Sequence, residues 1–78
     1  MKGYRGVFSK MGENLLERYV EDLLKELQEK PNDVDLMMKL GVAYVRLKKI
    51  EEARNIYKKL KELDPHKAKE LLDMIYEL

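Results

Sequence analysis

The stretch that decides the fold is the pentapeptide LGVAY at residues 40–44, which is followed at intervals by Ala53, Tyr57 and Pro65. A Gly and an Ala in this pattern are small enough to let two helix backbones approach closely, whereas the two tyrosines are large enough to fill the space beside them. Apolar residues recur at helical spacing on both sides of the stretch. The sequence therefore predicts two helices folded against each other as the centre of the fold.

The same periodicity extends along the chain and predicts an all-α fold of antiparallel helices at residues 13–29, 34–48, 50–63 and 66–77. The helix at 34–48 is apolar around nearly its whole circumference, which indicates a buried central helix. The last two helices carry one apolar stripe each, so each is expected to pack on one side only. Pro31 and Pro65 mark breaks, because the residue before a proline is disfavoured in the helical conformation.

Residues 1–12 are predicted as a basic N-terminal arm, ahead of a single helical domain at residues 13–78. The arm contains Gly3, Gly6 and Gly12, and each glycine weakens a helix by up to about 1 kcal/mol. Apolar side chains nevertheless recur there at i, i+3, i+4 and i+7: Tyr4, Val7, Phe8 and Met11. Two interpretations remain open, a frayed tail or a short helix that docks its aromatic face on the domain.

The composition of the chain argues against several classes of protein. The chain has 78 residues and a net charge of +1, and this near-neutral balance argues against a dedicated nucleic-acid-binding protein. The absence of Cys excludes disulfides and thiolate metal sites. The sequence contains neither an apolar run of about 18 residues nor a signal-peptide pattern, so a cytoplasmic location is expected. The dominance of Lys and Glu and the absence of Thr are typical of proteins from hot environments.

No catalytic, cofactor or metal site is expected. His66 is the only His, and no Cys, Ser or Thr stands near it as a nucleophile that it could activate. Carboxylates are plentiful, but they are scattered along polar helix faces without a glycine-rich loop or a metal-ligand cluster. Asp33 and Asp35 are explained by helix capping and by the positive end of a helix.

The central stretch resembles the tetratricopeptide repeat, a helix-turn-helix unit of about 34 residues with the pattern W-x-x-L-G-x-x-Y, A-x-x-x-F and P. One complete repeat is predicted at residues 34–67. The matching positions are Met37, Leu40, Gly41, Tyr44, Ala53, Tyr57 and Pro65. Residues 13–31 resemble the second helix of a preceding repeat, and residues 68–74 resemble the opening of a following first helix. The resemblance implies right-handed stacking of helical hairpins.

The sequence departs from the family pattern at informative positions. Met37 stands where the family often has Trp, and Lys48 where Gly is common at the turn. Leu60 stands where Ala is usual, so we expect it either to push neighbouring helices apart or to fill a gap left by a missing repeat. Gly41 and Ala53 are expected where the two helices of the repeat cross.

The resemblance implies a scaffold that binds proteins or peptides through a groove lined by first helices. In this chain the corresponding side chains are Asp35, Met38, Val42, Val45 and Arg46. Because Met38 and Val42 cannot supply the Lys and Asn donors of the family's peptide-carboxylate clamp, a helical or extended apolar peptide is the expected partner. The alternative is that a second copy in a homodimer, or the chain's own N-terminal helix, covers this face.

Overall fold

A computed structural model describes the backbone of residues 2–77 and the side chains of residues 14–77. Within that range the chain forms four helices, α1 Lys2–Glu29, α2 Val34–Arg46, α3 Ile50–Leu63 and α4 Pro65–Tyr76. Successive helices pack against each other, and α2 also packs on α4, whereas no Cα atom of α1 comes within 8 Å of α3 or α4 in the described chain. The predicted all-α fold of antiparallel helical hairpins is confirmed.

Helix α1 begins at Lys2, although the sequence pattern predicted a start near residue 13. Extending an existing helix adds one hydrogen bond per residue and avoids a new nucleation step, which offsets the modest cost of the glycines. The expected docking of Tyr4, Val7, Phe8 and Met11 lies outside the described side chains. Helix α1 packs on α2 through Val20 and Leu23, which are both buried.

One aspartate fixes the start of α2 and another fixes the start of α4. The Leu36 N–H donates to Asp33 Oδ1 at 3.1 Å, which caps α2. The N–H groups of His66 and Lys67 both donate to Asp64 Oδ1 at 3.1 Å, which caps α4. These bonds satisfy donors that the first turn of a helix leaves without an intrahelical partner.

The turn between α2 and α3 contains a non-glycine residue in the left-handed conformation. Helix α2 ends at Arg46, two residues earlier than predicted, and Lys48 then takes a φ of 62°. Two backbone hydrogen bonds close the turn, from Lys48 N–H to the Val45 carbonyl at 3.0 Å and from Lys49 N–H to the Tyr44 carbonyl at 2.9 Å. The conformation explains why glycine suits this position, because a Cβ is unfavourable there.

The core is centred on α2, and its closest approach is to α4. A Cβ atom built on Gly41 would lie 2.5 Å from Leu71 Cδ2 and 2.9 Å from Leu71 Cδ1. Gly41 therefore makes room for α4 of the next hairpin, and not for α3 as the repeat pattern predicted. Ala53 of α3 is fully buried in the same cluster as Leu71.

Leu60 fills the core without any exposure. Its side chain is 0% exposed, and it belongs to the cluster that joins α2, α3 and α4. Ala68 of α4 lies in the same cluster, and its small side chain leaves room for a leucine on α3. Leu60 therefore fills space among α2, α3 and α4, and not a gap left by a missing repeat.

Replacement of Gly41 by Ala is expected to lower the free energy of unfolding by about 1 kcal/mol. Overpacking against Leu71 costs about 1–3 kcal/mol, and the better helix propensity of Ala returns up to about 1 kcal/mol. Chemical denaturation of Gly41→Ala, Leu71→Ala and the double variant forms a double-mutant cycle that measures the coupling between the two residues. The double variant should lose less stability than the two single variants lose together, and strict additivity would contradict the contact.

Truncation of Leu60 to Ala, the residue usual in the family, is expected to destabilise the protein by about 2–5 kcal/mol because it empties a fully buried site. The matched control is Leu63→Ala. Because Leu63 is 42% exposed, its truncation should lower the free energy of unfolding much less. Thermal and urea unfolding of both variants compare the two positions. Equal losses at the two sites would show that α4 collapses onto the shorter side chain.

Replacement of Lys48 by Gly is expected to raise the free energy of unfolding by about 0.5–1 kcal/mol. The left-handed conformation costs a non-glycine residue about 1–2 kcal/mol, and the greater freedom of Gly in the unfolded chain cancels part of the gain. Lys58→Gly in the middle of α3 is the control, and it should lose about 1 kcal/mol. A loss of stability in both variants would contradict the positive φ at Lys48.

Candidate functional site

The candidate site is a cleft between α1 and α2, with a cavity volume of about 280 Å³. We call it the α1–α2 cleft. Its lining residues come from one face of each helix: Leu16, Tyr19, Met38, Lys39, Val42, Ala43 and Arg46. On α2 the residues 39, 42, 43 and 46 recur at the three- and four-residue spacing that places side chains on one helix face. The cleft is therefore a continuous strip of α2 walled by α1.

The floor of the cleft is apolar and its rim is cationic. Met38 and Val42 are half-buried and also pack against the main core cluster, so their position is fixed from below. Tyr19 on α1 is 42% exposed and forms part of the opposite wall. Lys39 and Arg46 are exposed, and among the described side chains neither lies within 4.0 Å of a carboxylate. The cleft can thus accept an apolar surface that carries negative charge at its edge.

The structure brings only some of the predicted binding residues together. Met38, Val42 and Arg46 line the α1–α2 cleft. Asp35 is exposed on α2, and its Oδ1 lies 3.4 Å from Lys67 Nζ of α4, so it lies at the contact between those two helices. Val45 is only 7% exposed and belongs to the core cluster with α3 and α4, so the expectation that it lines a groove is corrected.

Sequence reasoning missed the α1 side of the site. Leu16 and Tyr19 belong to the broad apolar stripe of the first helix, and both line the α1–α2 cleft. Leu16, Val20 and Leu23 do pack on α2, but Leu15 is 66% exposed and Tyr19 is 42% exposed at the edge of that stripe. The width of the stripe was the available signal, since one neighbouring helix cannot cover a face that wide.

The electrostatics of the described residues do not suggest acid–base chemistry. No group of three or more His, Cys, Asp or Glu side chains that could hold a metal ion occurs among residues 14–77. Burial first, and then the carboxylate of Glu52, raises the pKa of Tyr44 above its ordinary value of 10.0, so its hydroxyl stays protonated at neutral pH. His66 is exposed at the start of α4. In the described chain no helix is both long enough and apolar enough to span a membrane.

Comparison with known families agrees with the arrangement of the helices. The family model for the tetratricopeptide repeat matches residues 20–75, which run from the second half of α1 to the last turn of α4. Neither a search of curated proteins nor a search of solved structures returned a match. The matched region covers most of the chain and includes α2 and α3, the complete repeat with Gly41, Ala53 and Pro65. The chain therefore belongs to the tetratricopeptide repeat family.

Proposed function

We propose that this protein is an interaction scaffold that binds an apolar, helical or extended peptide segment of a partner protein in the α1–α2 cleft. Tetratricopeptide repeats are non-catalytic modules for protein interaction. The observation that carries the proposal is the position of Val42. It lies half-buried between Lys39 and Arg46 and packs on the core cluster from below, while the rest of its side chain lines the α1–α2 cleft.

The chemistry of the cleft favours an apolar ligand over a free carboxylate terminus. Met38 and Val42 provide contact area but no hydrogen-bond donor, and the flexible side chain of Met adapts to different apolar partners. A helical segment with a narrow apolar stripe fits a groove between two helices, because its side chains at i, i+3 and i+4 can enter along the groove. Lys39 and Arg46 would favour a segment with acidic residues beside the stripe.

A second candidate function, self-association as a homodimer, is favoured by the apolar side chains beside the cleft. Leu15 is 66% exposed and Tyr19 is 42% exposed. A single complete repeat buries less surface than the three or so that usually make a stable array, so a second copy could supply the missing cover. The chain's own N-terminal helix α1, of which residues 2–12 are a continuous part, walls the cleft on one side but leaves it open.

A Glu at position 42 is expected to weaken binding of an apolar helical peptide at least about tenfold, since it replaces apolar contact area with a charged carboxylate that must lose water on binding. The probe is a peptide selected from a displayed library of amphipathic helices and labelled for fluorescence anisotropy. Leu63→Glu is the matched control, because it makes the same chemical change at an exposed position on α3. Circular dichroism checks that both variants keep their helices.

The control variant should bind within about twofold of the unchanged protein, which corresponds to well under 1 kcal/mol. If the library yields no peptide that binds, or if Val42→Glu binds as tightly as Leu63→Glu, the proposed site is wrong. Selection of peptides that depend on α3 residues such as Asn55 would point to a different face of the scaffold.

A further inference from the structure

The neighbouring helices α1, α3 and α4 pack on all sides of α2 but one. Leu36 and Leu40 belong to the cluster that α2 shares with α1, and Gly41 meets Leu71 of α4. Met37 is buried in the cluster that joins α2 to α3 and α4. The remaining sector of the helix carries Lys39, Val42 and Arg46, at the spacing i, i+3 and i+7. The described neighbours of α2 cover this sector only in part, and the α1–α2 cleft lies along it.

The internal packing of the chain shows what kind of element fits there. Helix α2 precedes α3, packs on it as a hairpin, and also packs beside α4, the first helix of the next unit. Helix α1 stands before α2 as α3 stands before α4, but α1 has no preceding hairpin partner among the described helices. A helix in the α1–α2 cleft would pack on α1 in the way that α2 packs on α3. It would also pack on α2 in the way that α2 packs on α4. The cleft therefore corresponds to the position of a first helix in a repeat, and we call this position the seat.

Helix α4 occupies the place of a first helix, and its outer face complements the α1–α2 cleft in charge. Ala68, Leu71 and Ile75 face the core, and the opposite side of α4 carries three exposed acids at i, i+3 and i+7: Glu70, Asp73 and Glu77. Glu70 and Glu77 have the i, i+7 spacing of Lys39 and Arg46 and carry the opposite charge. Tyr76 is 74% exposed and Met74 is 36% exposed, so apolar side chains flank the acidic stripe.

We propose that the occupant of the α1–α2 cleft is α4 of a second copy of this chain, an inference that rests on the proposed function of the cleft. The acidic stripe of Glu70, Asp73 and Glu77 would lie against Lys39 and Arg46, and Tyr76 would add apolar contact at Val42. The two surfaces are different, so the contact is heterologous and each copy offers one of each. Copies joined in this way continue the alternation of helices and form an open chain or a closed ring.

Charge reversal with exchange tests this arrangement. The seat variant carries Lys39→Glu and Arg46→Glu, and the end variant carries Glu70→Lys, Asp73→Lys and Glu77→Lys. Lys58→Glu with Lys61→Glu is the control, because it makes the same change of charge as the seat variant at exposed positions of α3. Sedimentation velocity follows the average mass of each protein from micromolar to millimolar concentration, at low and at physiological salt, and circular dichroism confirms folding.

The unchanged protein and the control should gain mass with concentration, and less so in salt, because the attraction between exposed charges is screened. Alone, the seat variant and the end variant should each associate at least about tenfold more weakly than the unchanged protein. When the two are mixed they should associate with each other, because the acidic cleft of one variant then meets the basic α4 of the other. A monomeric unchanged protein, variants that associate as it does, equal loss in the control, or a mixture that stays monomeric would overturn the inference. A monomer that still binds the selected peptide through Val42 would leave the proposed function standing.

Discussion

The close approach of α2 and α4 at Gly41 is the contact on which the rest of the structure depends. Leu71 occupies the space where a side chain at position 41 would stand, so α4 lies directly against the central helix. With α4 in this place, Val45 is buried in the core and Asp35 comes within reach of Lys67. The same placement leaves the opposite sector of α2 as the surface on which a further helix could dock.

The sequence was sufficient to predict the class of fold, the capping of α2 by Asp33 and the complete repeat. Apolar periodicity and helix breakers are local signals, so the number of helices and the bounds of α3 followed from them. The start of α1 was missed because the glycines weaken a helix locally, whereas extension of a helix that already exists is cooperative. The left-handed Lys48 was flagged only through the family pattern, since a lysine gives no local signal for that conformation.

The candidate site could be predicted only in part, because it depends on which neighbours surround α2. A helix that is apolar all round does not reveal which of its faces is covered. Val42 and Val45 are three residues apart on neighbouring faces, yet one lines a cleft and the other is 7% exposed in the core. That difference arises from the position of α4, a tertiary contact with residues far along the chain. Met38, Val42 and Arg46 line one cleft, and their role in binding stays a prediction, whereas the α1 wall could be seen only in the packed structure.

The proposed site makes α2 a central helix with one side open to a further helix. The most direct test of that site is a two-dimensional NMR titration of the isotope-labelled protein with the selected amphipathic peptide. The proposed site predicts that the largest chemical-shift changes occur along the cleft, at Tyr19, Val42 and Arg46, with little change on the outer face of α3. Changes concentrated on α3, at residues such as Asn55 and Lys58, with the cleft unperturbed, would contradict it.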